Sequence, residues 1–120
     1  MQEQTSPVKV FSSARIKKDI KKLSKRYNSI EKDIEPLIKQ LEAGEIIGDK
    51  IAGNKYPVFK ARIKNSDIKK GKSGGYRVLY YTITSEAILL ATIYSKSDRD
   101  NISNEEIEEI IEQYELEVDR

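Results

Sequence analysis

The residues best equipped for chemistry in this chain are cations. In Phe59-Lys60-Ala61-Arg62-Ile63-Lys64, apolar and basic residues alternate strictly. A strand sends successive side chains to opposite faces, so Lys60, Arg62 and Lys64 would form a row of charges about 7 Å apart. Phe59, Ala61 and Ile63 would face the other way, toward a core. Arg77 opens the next extended run, and Lys96 and Arg99 follow the one after it. If these runs are neighbours in one sheet, three sources of positive charge meet on one side. Arginine offers phosphate a rigid, two-pronged donor, and lysine a mobile point charge. Tyr80, Tyr81 and Tyr94 lie on the same runs and could stack on bases. Such a surface suits RNA, whose phosphates need cations and whose splayed bases need flat partners. It could also cut RNA through the substrate's own 2′-hydroxyl, if side chains align the attack and stabilise charge on the phosphorane oxygens. Clustered cations depress one another's pKa, which would let a lysine exchange a proton. The residues alone leave binding and cutting both open, with binding the simpler reading.

The segment between the first two runs, Lys69-Lys70-Gly71-Lys72-Ser73-Gly74-Gly75-Tyr76-Arg77, contains Gly-Lys-Ser, the end of a nucleotide-binding P-loop. That motif also needs a glycine five positions before its Gly-Lys and a helix behind it. The position holds Ser66, and the strand-forming Tyr76-Arg77-Val78-Leu79-Tyr80-Tyr81 follows. The segment is therefore a basic hairpin loop, with Lys69, Lys70 and Lys72 available to phosphates. The chain has no cysteine and no histidine. Disulfides, thiolate metal sites, zinc hydrolases and Ser-His-Asp triads are excluded with them. Neither a metal nor a cofactor is expected. Net charge is only +2, but it is unevenly spread. Between Lys55 and Asn101 ten basic residues face four acidic ones, while from Ile102 onward the balance is −7. A basic middle points to a polyanion partner. The first residues carry no apolar run and nothing approaches the length of a membrane span, so a cytoplasmic location is expected.

A chain of 120 residues is expected to form one domain spanning residues 1–120. Val8 to Phe11 makes a short first strand. Ser12 or Ser13 caps a helix marked by Ile16, Ile20, Leu23 and Tyr27 at helical spacing. After a break at Asn28-Ser29, with Ser29 as cap, Ile30, Ile34, Leu37 and Leu41 mark a second helix. Pro36 should kink or delay it, and Gly44 should end it. The outer surface of this helical hairpin is lysine-rich. Glu45 to Tyr56 reads as a loop. Strands follow around Phe59 to Lys64, over Tyr76 to Thr84, and over Ile88 to Tyr94. The last is apolar on both faces, as a central strand covered on both sides should be. Ser103-Asn104-Glu105-Glu106 fits a capping box, and Ile107, Ile110, Ile111 and Tyr114 stripe a final acidic helix. The fold class is thus α+β: an N-terminal strand, a helical hairpin, a mainly antiparallel three-stranded meander and a C-terminal helix.

Three stretches together carry a family resemblance: Lys60-Ala61-Arg62-Ile63-Lys64-Asn65, Gly71-Lys72-Ser73-Gly74-Gly75-Tyr76-Arg77-Val78-Leu79-Tyr80-Tyr81, and Ile93-Tyr94-Ser95-Lys96-Ser97-Asp98. In these the chain resembles the RelE/ParE toxin superfamily, closest to the RelE/HigB branch of type II toxin–antitoxin systems. The resemblance implies a metal-independent, ribosome-dependent endoribonuclease that cuts mRNA, is held in check by a cognate antitoxin, and has ribosome and mRNA as its other partners. Lys60 and Arg62 match the family's basic pair, and Arg77 matches the arginine expected to hold the scissile phosphate. Lys96 and Arg99 fall in the basic segment after the last strand. One branch of the family has a tyrosine just beyond that strand and another uses histidines, whereas Asp100-Asn101-Ile102-Ser103 has neither. Lys64 and Lys60 are the candidates for proton transfer by default, and Asp98 is a weaker one. Two alternatives stand beside this reading: a ParE-like gyrase inhibitor, and a non-catalytic RNA- or ribosome-binding module.

Overall fold

A computed structural model describes residues 7–69, 71 and 74–118. In chain order the elements are β1 (Lys9–Ser12), α1 (Ala14–Leu23), α2 (Ile30–Glu42), β2 (Asp49–Lys50), β3 (Val58–Ile63), β4 (Tyr76–Thr84), β5 (Ala87–Ser95) and α3 (Asn104–Val118). They build one five-stranded sheet in the order β1-β5-β4-β3-β2. β1 runs parallel to β5, and the other neighbours are antiparallel. The expected α+β class and meander, β3-β4-β5, are present. The sheet gains β2, a two-residue strand inside the segment read as a loop. Asp49 and Lys50 alternate nothing and bury nothing, so only their pairing with Lys60 and Phe59 makes them a strand.

Each face of the sheet has its own core. Ile16 and Leu23 of α1 and Ile30, Ile34, Leu37 and Leu41 of α2 pack on Ala61, Ile63, Val78, Tyr80, Leu90 and Ile93. On the other side, Ile107, Ile110 and Ile111 of α3 cover Val58, Leu79, Tyr81, Leu89 and Ala91. β5 lies between these layers and is apolar on both faces because both are covered. The two-fold alternation of β3 and β4 distributes side chains between the layers. Ala61, Ile63, Val78 and Tyr80 therefore face the helical hairpin, while Lys60, Arg62 and Arg77 share the side that carries α3.

Local chemistry explains the helix ends. Ser13, buried, caps α1 by accepting from the Ile16 N–H at 3.0 Å, and its hydroxyl donates to the Ala91 carbonyl at 2.6 Å. β1 ends opposite Leu90, which leaves the far half of β5 without a strand neighbour on that edge. α1 takes over there. The Asp19 carboxylate accepts from the Thr92 hydroxyl and from the Ile93 N–H at 3.2 Å. An edge that would otherwise be raw is thus closed by side chains. Ser13→Ala removes both a helix cap and a buried link to β5. It is expected to lower stability by about 1–2 kcal/mol, measurable by urea denaturation, with little change in the slope of the transition.

Ser29 does not cap α2 with its own side chain. Instead Asp67, from the β3–β4 loop, accepts from the Ser29 N–H at 2.9 Å and from its hydroxyl at 3.1 Å. Asp33 returns the contact by accepting from the N–H and hydroxyl of Ser66 at 2.9 and 3.1 Å. This reciprocal clasp fixes the root of the basic loop to the helical layer. α2 continues through Pro36 without interruption, and Gly44, at φ 90°, ends it as expected. At α3, Ser103 caps by accepting from the Glu106 N–H at 3.1 Å, which is half of the expected box. The Glu106 carboxylate turns elsewhere.

Candidate functional site

The register of the central strands creates the site. Arg62 stands directly opposite Arg77 across the β3–β4 ladder, and Arg77 stands opposite Tyr94 across β4–β5. Lys60, one step along the same face, faces Leu79. Direct cross-strand partners have Cβ atoms about 4.5–5.5 Å apart, and like charges so placed destabilise a sheet. Two facing arginines are therefore a cost to folding that an anion would relieve. Arg62 is exposed and Arg77 is buried, 5 % accessible. Burial lowers the Arg77 pKa first, and the neighbouring Arg62 lowers it further, while Tyr94 works in the opposite direction. One Arg77 N–H donates to the Tyr76 carbonyl at 3.3 Å, which helps hold the guanidinium in place. Lys60, Arg62 and Lys64 enter no ion pair among the described residues. Lys64 is exposed just past the last residue of β3.

Beside this face an open groove of about 390 Å³ runs between β3 and the start of α3. Lys60 and Asn101 line it, with Leu79, Ile102 and Ile107 supplying an apolar floor. The Lys60 ammonium can thus be offered to a group lying against Arg62 and Arg77.

The tyrosines are not where base stacking would need them. Tyr80 faces the hairpin, fully buried, its ring stacked on Phe59 with centroids 5.5 Å apart. Tyr81 lies under α3, 5.2 Å from the Tyr56 ring, with its hydroxyl toward Glu115. Tyr94, 6 % accessible, donates to the Asp100 carbonyl at 3.4 Å. Stacking of bases on Tyr81 and Tyr94 is corrected accordingly: both rings are buried, Tyr81 against Tyr56 and Tyr94 beside the Arg99 guanidinium. Burial raises the Tyr94 pKa, against the pull of Arg77, Arg99 and Lys96, so its phenol is a neutral post among three cations.

Lys96 and Arg99 join the neighbourhood but not the row. Lys96 pairs with Asp100 at 2.8 Å, in a pair whose carboxylate is 89 % exposed. Such a surface pair is worth little. The Arg99 guanidinium lies 5.6 Å from the Tyr94 ring centroid and reaches Glu106 at 3.3 Å. Glu106 also receives Arg15 at 2.8 Å. Asp98 pairs with Arg26, which follows α1 in the turn. Lys69 is exposed in the β3–β4 loop, and Lys70 and Lys72 lie outside the described residues.

Glu106 was invisible as a bridge in the sequence, where it reads as the capping-box glutamate of α3. Its hydrogen bond to Arg15 holds its pKa below the ordinary 4.5, burial opposes this, and Arg99 adds to the depression. A folded-state pKa below the unfolded one contributes stability above the unfolded value and loses it as pH falls through the folded one. The stability that Glu106 contributes is therefore expected to fade as pH drops below about 4.5, and Glu106→Gln should flatten that part of the pH–stability profile.

The fold and this face define an α+β protein with paired arginines presented on two antiparallel strands of a mixed sheet. Residues 8–115 match the family model described as the RelE toxin of the RelE/RelB toxin–antitoxin system. The chain belongs to that toxin family, and membership implies an antitoxin partner. No curated protein and no solved structure matches the chain. Among the described residues, no helix is long and apolar enough to cross a membrane.

Proposed function

We propose that this toxin is a ribosome-dependent endoribonuclease of the cytoplasm that cuts mRNA by attack of the RNA's own 2′-hydroxyl, and that a cognate antitoxin neutralises it. The observation that carries the reading is the direct pairing of Arg62 with Arg77, with Lys60 on the same sheet face. Family membership supports it as well, since RelE toxins are generally mRNA endoribonucleases. In the reaction the 2′-oxygen bonds to phosphorus as the bond to the 5′-oxygen breaks. The products are a 2′,3′-cyclic phosphate and a 5′-hydroxyl. Arg77 and Arg62 grip the non-bridging oxygens, where charge builds in the transition state. Lys60 gives a proton to the departing 5′-oxygen. The 2′-hydroxyl proton passes to water, from which Lys60 is later recharged. Lys64 and Lys96, with Arg99 and the loop lysines Lys69, Lys70 and Lys72, hold flanking phosphates.

The test uses purified toxin and ribosomes programmed with a defined mRNA. Cleavage yielding cyclic-phosphate ends on the ribosome, and little on free mRNA, is the expected result. Binding to ribosomes without any cut would make this a binding module. A DNA-damage response on expression, in place of translation arrest, would favour the gyrase-directed alternative.

A further inference from the structure

We infer that this chain pairs with a second copy of itself through the edge of β5 that β1 leaves free, α3 of each copy lying along α1 of the other. The inference concerns an interface and does not depend on the cleavage reaction.

Two helices reach that edge from opposite faces of the sheet. They are joined where the Arg15 guanidinium donates to the Glu106 carboxylate at 2.8 Å. From this joint they run in opposite directions. Ser13 bonds the Ala91 carbonyl, Asp19 the Ile93 N–H and Arg26 the Asp98 carboxylate, so α1 and the turn after it advance toward the end of β5. Glu106 reaches Arg99, whereas Glu115 meets Tyr81, the cross-strand partner of Leu89, so α3 returns toward the start of β5.

An open hollow lies on each side of the joint, and Arg15 lines both. The first, about 470 Å³, is flanked by Glu109, Gln113, Leu116 and Glu117 of α3. The second, about 460 Å³, has Leu23 and Ile93 on its floor and Lys22, Arg26 and Arg99 around it. At about 100° per residue, Glu105, Glu109, Glu112 and Leu116 share an arc of about 60° on α3, and Arg15, Lys18 and Lys22 share one of the same width on α1. Lys18, Lys22, Glu105, Glu109 and Glu117 are exposed, and none enters an ion pair among the described residues. Leu116, within the acidic stripe, is 64 % exposed.

One operation brings these features together. A two-fold axis through the Arg15–Glu106 joint, perpendicular to the edge, exchanges both the ends of the edge and the faces of the sheet. It lays α3 of one copy along α1 of the other. Leu116 stands ten residues, about 15 Å, beyond Glu106, and Leu23 stands eight residues, about 12 Å, beyond Arg15. Leu116 therefore arrives over the Leu23–Ile93 hollow, while Glu105 and Glu109 arrive beside Lys18 and Lys22. The contact is made twice and closes, as an isologous dimer requires. Any other occupant would need an acidic helix with one apolar anchor, and the chain already presents one at matching length. Two helix–helix contacts make a small interface, so a dissociation constant of about 10 µM and a marked salt dependence are expected.

Sedimentation velocity of the full chain, from about 1 to 200 µM at about 50 and 500 mM salt, tests the interface. A reversible monomer–dimer equilibrium, at least tenfold weaker at the higher salt, is expected. Leu116→Ser should weaken it at least tenfold, because the apolar anchor is lost from both contacts. Lys18→Glu with Lys22→Glu should abolish it, and so should Glu105→Lys with Glu109→Lys. Mixing these two double variants should restore a dimer, since opposite charges then meet in both contacts. All five positions are exposed, and circular dichroism checks that each variant folds. A chain that stays monomeric at about 200 µM would overturn the proposal, as would a dimer indifferent to both charge reversals. So would a mixture that fails to associate when each double variant alone is monomeric. Binding of a polyglutamate peptide by a chain that does not self-associate would give the hollow to another partner and overturn it too. None of these readouts involves cleavage, so the proposal fails or stands apart from the nuclease reading.

Discussion

Replacing Arg77 with Ala is expected to lower ribosome-dependent cleavage by about 10²–10³-fold, the usual cost of removing one preorganised donor from a developing oxyanion. Growth arrest on expression should disappear with it. The size of the effect follows from where Arg77 sits. It is buried, opposite Arg62 in the ladder, and tethered to the Tyr76 carbonyl, so its donors need no reorganisation when charge develops. A buried arginine also fills space, and Ala could weaken the fold. Arg77→Met keeps most of the aliphatic stem and separates the two effects. It should unfold near the parental temperature and still fail to cut. Arg77→Lys returns the charge without the rigid fork and should recover only about tenfold. An Arg77→Met protein that cleaves at the parental rate would remove Arg77 from the reaction.

Gly75→Ala should be strongly damaging to the fold. A Cβ built there would lie 2.1 Å from the Ile63 carbonyl oxygen and 2.9 Å from the Asn65 nitrogen. Both are backbone atoms, so no rotamer change relieves the clash, and the roots of β3 and β4 must separate. A loss of about 3 kcal/mol is expected, read as a fall of about 10 °C in the midpoint of thermal unfolding. Because Tyr76 follows Gly75 and pairs with Ile63, the same movement disturbs the Arg62–Arg77 pairing. Activity should therefore fall more than the folded fraction does. Gly71→Ala is the contrast. Gly71 has φ 64° but nothing within 4 Å of an added Cβ among the described residues, so its substitution should cost only about 1 kcal/mol. Equal stability of the two variants would show that the close approach at Gly75 is not what holds the strands together.

Much of this was legible in the chain before any coordinates. Strict alternation from Phe59 to Lys64 committed Lys60 and Arg62 to one face because a strand has a period of two. Helical spacing of isoleucines and leucines marked α1, α2 and α3, and Ser13, Gly44 and Ser103 marked their ends. The signals that failed were those without a local period. β2 exists only through its pairing with β3. The cap of α2 comes from Asp67, 38 positions away from Ser29. Tyr81 and Tyr94 looked like stacking platforms because their chemistry allows it, and only tertiary packing decides that both rings are buried.

By itself, then, the sequence determined the kinds of group available, the secondary structure that would carry them and the side of each strand they would take, because all three follow from steric and hydrophobic rules acting over a few residues. Tertiary structure alone decided which arginine faces which, which carboxylates hold Arg15, Arg26, Lys96 and Arg99, and that the lysines of α1 stand across the sheet from the paired arginines. Those outcomes depend on strand register and on contacts between residues far apart in the chain, and no local pattern encodes such distances.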